Sequence, residues 1–391
     1  MAAPGNAKIS ATLEASSSRG ALATDALLTA MLRAAGQVSD LIFSPGRPPQ
    51  VGVHGQLIPI QAPGMRLLSS DDTRHVASDL IGNNQQAIVM LREQGSCDVS
   101  YGLPGMARFR VNIFIQRGSC AVVMRVIPTE VPNFAILGLP AHLGEAANIR
   151  HGIVLVTGSR GSGKSSTLAA LLDLINQRQT CHIITIEDPI EFLHNHKSST
   201  VHQRELHSDT PSFAQSLRAA LRQAPQVILV GEIRDRETSE MLLEAAETGH
   251  LVLSSLNTVD AAKTVERLVS VFAFGEQSAV RGRLAKTLRY VVSQRLIPRS
   301  DGSGRVAVVE ILKSSPRVHD CLEHADGSRQ TLLQIMKESG AEGMQHFDGE
   351  IEKLVRAGVM DEDTALNYAT DPLSLQLALG KACLLYTSRC V

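Results

Sequence analysis

Gly158-Ser159-Arg160-Gly161-Ser162-Gly163-Lys164-Ser165 stands between an apolar run, Ile153 to Thr157, and a stripe of helical spacing, Leu168, Leu171, Leu172 and Ile175. This is the pattern of a phosphate-binding loop in the context it requires, a buried strand before it and a helix after it. Glycines at 158, 161 and 163 let backbone N–H groups approach phosphate oxygens closely, with a helix N-terminus aimed at them. Lys164 is placed to reach the β- and γ-phosphates and Ser165 to ligand Mg²⁺, while Ser159, Ser162 and Ser166 complete the wrap. The expected ligands are therefore ATP and Mg²⁺.

Outward from the loop, further apolar runs occur at His182 to Ile186, Val227 to Val230 and Leu251 to Ser255, separated by helical stretches. Such runs suit strands buried on both faces of a mostly parallel α/β sheet. Ligands bind such sheets at the carboxyl ends of the strands, so charged residues that follow each run are site candidates. Thr185-Ile-Glu-Asp-Pro-Ile-Glu191 supplies Glu187, Asp188 and Glu191, which could orient Mg²⁺ or an attacking water; Asp188 is the expected second metal ligand. Val227-Ile-Leu-Val-Gly-Glu232 supplies Glu232, the expected group for activating or positioning water. His250, after Gly249, is a candidate γ-phosphate sensor when combined with the other motifs.

Residues 1–22 are small and polar and read as a flexible arm. Helical spacing from Leu27 to Arg33 and short apolar segments at Asp40 to Ile42, Gln50 to Val53 and Leu57 to Ile60 outline a small α+β module over 23–127. Strands are expected over Arg108 to Ile115 and Ala121 to Ile127. Pro128, Pro132 and Pro140 punctuate a linker expected over 128–145, and the α/β domain is expected over 146–375. Residues 277–297 and 329–369 read as helical, the former from Val280, Leu284, Leu288 and Val291. The segment 383–391 resembles translated adapter sequence and is expected not to be native.

Composition narrows the function classes. With 38 Lys plus Arg against 39 Asp plus Glu, the chain has no bulk charge that would draw it to nucleic acid or an anionic membrane. Its six cysteines form no C-x-x-C pair, which argues against a disulfide framework and a cysteine-based zinc site. No apolar run reaches the ~20 residues that span a bilayer, and the first 20 residues lack the apolar core of a signal peptide. A cytoplasmic location is the expectation.

Together, Gly158 to Ser165, Thr185 to Phe192, Val-Gly-Glu-Ile-Arg-Asp (230–235) and Glu-Thr-Gly-His-Leu-Val-Leu (247–253) resemble the Walker A, Asp, Walker B and His boxes of the secretion ATPases, in the same order. The stretch Asp98 to Asn112, Gln116-Arg-Gly118 and Gly343-Met-Gln345 resembles the type IV pilus retraction, or PilT-like, branch. The resemblance covers roughly residues 25–375. It implies a PAS-like N-terminal domain, a RecA-like P-loop ATPase domain and a hexameric ring with ATP between the domains. It also implies that Arg108, Arg110, Arg117 and Arg125 reach the nucleotide phosphates. The implied partners are further copies of the chain, an inner-membrane platform protein and other pilus ATPases, with the ring peripheral at the inner face of the cytoplasmic membrane and no direct contact with nucleic acid.

The chain departs from the family pattern at Ser159-Arg160, usually Pro-Thr, at Gln226, usually Asp, and at Asn257, usually the second His-box histidine. The usual Ala-Ile-Arg-Asn-Leu-Ile is absent around Thr331 to Met336. The function implied is a motor that powers pilus retraction. The alternatives are an extension or type II secretion ATPase, which usually carries C-x-x-C pairs, and an accessory ring subunit that binds ATP but turns it over slowly.

Overall fold

The computed structural model describes residues 23–387 apart from 35, 37, 54–55, 61–66, 129 and 325–329, and for 381–387 the backbone alone. The expected arm at 1–22 and residues 388–391 of the expected non-native tail lie outside the described residues. The chain divides into two compact units, residues 1–129 and 130–391.

The first unit runs α1 (Thr24–Ala34), β1 (Val38–Phe43), β2 (Gln50–Val53), β3 (Gln56–Pro59), α2 (Ser70–Ile81), α3 (Gln85–Gln94), β4 (Ser96–Leu103), β5 (Ala107–Gln116) and β6 (Ser119–Ile127). Its strands form one antiparallel sheet in the order β3-β2-β1-β6-β5-β4. Period-two alternation explains β5: Phe109, Val111 and Ile113 are buried in the core while Arg110 is exposed on the other face. Arg117 and Gly118 close the β5–β6 hairpin with φ of 49° and 75°, the left-handed pair that a two-residue type I′ turn needs. Ser69 and Asp72 form a reciprocal capping box that starts α2.

The second unit contains β7 (Gly152–Thr157), α4 (Lys164–Arg178), β8 (His182–Glu187), β9 (Thr200–Glu205), α5 (Phe213–Ala220), β10 (Val227–Val230), α6 (Arg236–Glu247), β11 (Leu251–Leu256), α7 (Ala261–Ser270), α8 (Gln277–Thr287), β12 (Leu288–Pro298) and β13 (Arg305–Lys313). Helices α9 (Pro316–Glu323), α10 (Leu332–Glu338), α11 (Phe347–Arg356), α12 (Glu362–Tyr368) and α13 (Pro372–Thr387) follow. The sheet order is β13-β12-β7-β11-β10-β8-β9, parallel throughout except for the antiparallel β12–β13 pair. Every residue of β7, β10 and β11 is buried, as strands covered on both faces require.

One expectation from periodicity changes. The helix expected over 277–297 stops at Thr287, and Leu288 to Pro298 form a strand. Leu288 and Val291 lie at helical spacing from Val280 and Leu284 only by coincidence. Tertiary pairing with β7 on one side and β13 on the other overrides that spacing, and the Val291-Val292 pair favours the extended chain. The linker expected over 128–145 carries a turn at 134–138 and the start of a short helix. Ala141–Asn148 is a 3₁₀ helix, and Leu139, Leu143, Ala146 and Ala147 are buried in a core shared with Leu171, Leu172 and Ile175 of α4.

The C-terminal helices α11 to α13 bury Phe347, Ile351, Met360, Ala365 and Leu375 against Ile297 and Val308 of the β12–β13 pair. Arg295 fixes this packing: its guanidinium lies 3.8 Å from the centre of the Phe347 ring and donates to the Tyr368 carbonyl at 2.5 Å.

Candidate active site

Parallel register brings the carboxyl ends of β7, β11, β10 and β8 to one edge, with Thr157 beside Leu256, and Val230 beside both Ser254 and Ile186. Four loops leave from that edge. They carry Gly158 to Ser165, Glu187 to Glu191, Gly231 to Arg234, and Asn257, and they line one cavity of about 220 Å³.

The loop geometry fits a phosphate group. Gly158 has φ 147°, and a Cβ there would stand 2.5 Å from the Ser162 hydroxyl; Gly163 has φ 90° and forms the N-cap of α4 with no side chain capping it. The first N–H groups of α4 are thus left for an anion. The Ser162 Oγ is buried without a hydrogen-bond partner. Lys164 Nζ donates to the carbonyls of Gly158 (2.9 Å) and Ser159 (3.0 Å) and to Asn257 Oδ1 (2.9 Å). Burial lowers its pKa, an effect that Glu232 and Glu191 oppose.

The carboxylates take distinct positions. Ser165 Oγ donates to Glu191 Oε1 at 2.9 Å, so Glu191 rather than Asp188 stands beside the expected metal-ligating hydroxyl. Asp188 instead holds Arg234, whose Nη1 donates to Asp188 Oδ2 at 2.9 Å and whose Nε donates to Glu232 Oε2 at 3.1 Å. Asn257 Nδ2 donates to the other oxygen of Glu232. Glu187 Oε1 accepts from Thr185 Oγ1 (2.6 Å) and Gln203 Nε2 (3.0 Å), yet desolvation dominates and raises its pKa to about 7. His194 also lines the cavity, and burial lowers its pKa to about 4. The hydroxyl and carboxylate oxygens of Ser165 and Glu191 suit a hard divalent cation that completes its shell with phosphate and water. Among the described residues there is no cluster of three His, Cys, Asp or Glu that could hold an ion by itself.

His250 does not join the site. It precedes β11, its carbonyl accepts the Gly152 N–H at 2.9 Å, and its Nδ1 contacts the Ala245 carbonyl at 2.9 Å. It therefore lies at the amino edge of the sheet, the length of a six-residue strand or about 20 Å from the loop. Gln226 lies at the same edge, exchanging hydrogen bonds with the backbone of His182. Its departure from the family pattern leaves the cavity untouched. Arg234 and Gln294 were not expected at the site, and Asn257 was expected only as a departure from the family pattern. Asn257 and Arg234 carried a signal, since each closely follows a buried run.

The four arginines belong to the first unit. Arg110 and Arg125 are directly opposed on β5 and β6, and Arg125 Nε also bonds Asp40 Oδ1 at 3.1 Å. Arg108 shares their face two residues along. Arg117 is at the hairpin tip, six residue pairs or about 20 Å away along the strands.

Residues 98–355 match the family described as "Type II/IV secretion system protein". The chain is 42% identical over 327 residues to a twitching motility protein of Neisseria gonorrhoeae, covering 84% of this chain and 86% of that one. It is 40% identical over 334 residues to the type IV pilus retraction ATPase PilT of Pseudomonas aeruginosa, covering 85% and 95%. A crystal structure of the pilus retraction motor PilT with bound ADP superposes with a TM-score of 0.77 at 38% identity, covering 90% of this chain and 98% of that one. The nucleotide-binding loop, the carboxylates beside it and these relationships together place the chain in the type II/IV secretion system protein family, within its branch of PilT-like ATPases.

Proposed function

We propose that this protein is an ATP-hydrolysing motor that powers type IV pilus retraction, acting as a homo-hexameric ring at the inner face of the cytoplasmic membrane against a platform protein. The observation that carries the reading is the placement of Glu232 at the mouth of the Gly158–Ser165 loop, held there by Arg234 and Asn257. Glu232 would accept a proton from water as the water oxygen bonds to the γ-phosphorus; the bond from that phosphorus to the bridging oxygen breaks and ADP leaves. Lys164 would exchange its loop carbonyls for phosphate oxygens. Mg²⁺, held through Ser165 and Glu191, would neutralise charge on the β- and γ-phosphates.

Arg108, Arg110, Arg117 and Arg125 remain the proposed phosphate contacts of the ring. An arginine supplied by domain closure would tie phosphate state to domain angle, which a motor must change. The hairpin-tip position of Arg117 supports a role separate from that of the Arg110/Arg125 pair.

Deleting the gene from the strain that encodes the protein is expected to leave pili extended and surface motility lost. Wild type should restore both and Glu232→Gln neither. Normal retraction of labelled pili in the deletion strain would overturn the proposal.

A further inference from the structure

Gln294 of β12 lies beneath the phosphate loop and touches both of its ends. A Cβ on Gly158 would stand 2.4 Å from the Gln294 carbonyl oxygen, and one on Gly163 would stand 2.8 Å from Gln294 Nε2. The Oε1 atom of the same side chain accepts the Thr167 hydroxyl at 2.7 Å, in the first turn of α4. Gln294 is 3% exposed and Thr167 1%, so water cannot replace this bond. One residue thus meets the start of the loop, its end and the helix that follows, and β12 itself is fixed by pairing with β7 and β13. On β7, Thr157 Oγ1 donates to Ser293 Oγ at 3.0 Å, tying the strand that feeds the loop to the residue before Gln294.

A loop with glycines at 158, 161 and 163 has many conformations open to it, and a phosphate cradle binds well only if its N–H groups are already aimed. We propose that Gln294 is a positioning residue for the nucleotide: with Thr167 it braces the loop in its binding shape, so that ATP does not have to order the loop on arrival. The inference rests on the reading of this loop as the ATP site. It adds a determinant of affinity that touches neither the phosphates nor the attacking water.

The test is titration of full-length protein with a fluorescent ATP analogue in Mg²⁺, alongside thermal melting and steady-state hydrolysis. Gln294→Met keeps the volume and removes the acceptor; Thr167→Val removes the donor. Each is expected to raise Kd and KM for nucleotide about tenfold, the effect of one buried hydrogen bond with its partner left unsatisfied. Turnover at saturation should stay within threefold. Thr167→Ser, which keeps the hydroxyl, should bind within twofold of wild type, and the double variant should be no weaker than either single one. Unchanged Kd in both variants, with or without a lower Tm, would overturn the proposal and leave Gln294 a packing residue. Should Gln294→Met not fold, Thr167→Val decides alone. Wild type that binds no nucleotide would overturn the ATP-site reading itself, an outcome distinct from wild type binding normally while the variants match it.

Discussion

Lys164 Nζ is hydrogen-bonded to Asn257 Oδ1 at 2.9 Å, and the amide nitrogen of the same Asn257 donates to Glu232. Asn257 thus joins the lysine of the phosphate loop to the carboxylate at the end of the neighbouring strand, with one acceptor and one donor each used. Because Asn257 is exposed, its bonds are worth little to folding and matter through the two groups they aim. Asn257→Ala is expected to lower kcat about tenfold with nucleotide Kd within threefold, the scale of one hydrogen bond to a charged group. A phosphate-release assay beside a binding titration separates the two; full turnover in the variant would show that the bridge is incidental.

Glu232→Gln should keep Mg²⁺-ATP bound while hydrolysis falls 10²- to 10⁴-fold, because the amide keeps the shape but cannot take the proton. Loss of binding would give Glu232 a structural role instead, through its contacts with Arg234 and Asn257.

Arg110→Ala should assemble as wild type does and lose most turnover, and added ATP should no longer change its small-angle scattering profile. Arg125→Ala should behave likewise, with a small added effect from loss of the exposed Asp40 pair. Unchanged turnover in both variants would remove these arginines from the nucleotide's environment.

Glu310 offers a test outside the site. It is 3% exposed, accepts the Ala261 N–H at 2.8 Å, and burial raises its pKa from 4.5 to about 7. Between those two pH values the folded chain keeps a proton that the unfolded chain has released. Its contribution to stability is therefore complete below about 4.5 and lost as pH rises through 7, a change on the order of 3 kcal/mol. Glu310→Gln keeps the acceptor and should flatten this part of the dependence; Glu187, with its own pKa near 7, leaves a residual slope. Denaturant unfolding at pH 5 and pH 8 measures both slopes, and an unaltered slope in the variant would contradict the assignment.

The carboxyl edge was legible in the sequence because each motif directly follows a run too apolar to be anything but a buried strand. That rule places Gly158, Glu187 and Glu232 together without knowledge of the pairing order. The same rule, applied strictly, would have set His250 aside: it precedes its strand, so strand polarity puts it at the opposite edge. Four strands were not expected from the sequence, Ser96–Leu103, Thr200–Glu205, Leu288–Pro298 and Arg305–Lys313, and two of them show the physical reason. Thr200–Glu205 is a sheet-edge strand with only Val201 and Glu205 buried, so it lacks an apolar signature. Leu288–Pro298 continues the spacing of the helix before it, and only pairing with β7 and β13 makes it a strand. Gln294 could not have been found at all, because its meaning lies in a contact with Thr167, 127 residues away.

Whether the Gly158–Ser165 loop drives ATP hydrolysis is decided by steady-state phosphate release from purified wild type and Lys164→Ala in Mg²⁺-ATP. Lys164 supplies the cation that stabilises the transferring phosphoryl group, so wild type should turn over and the variant should lose at least a hundredfold in rate. Turnover by Lys164→Ala within tenfold of wild type, or none by wild type, would mean that this loop does not drive hydrolysis.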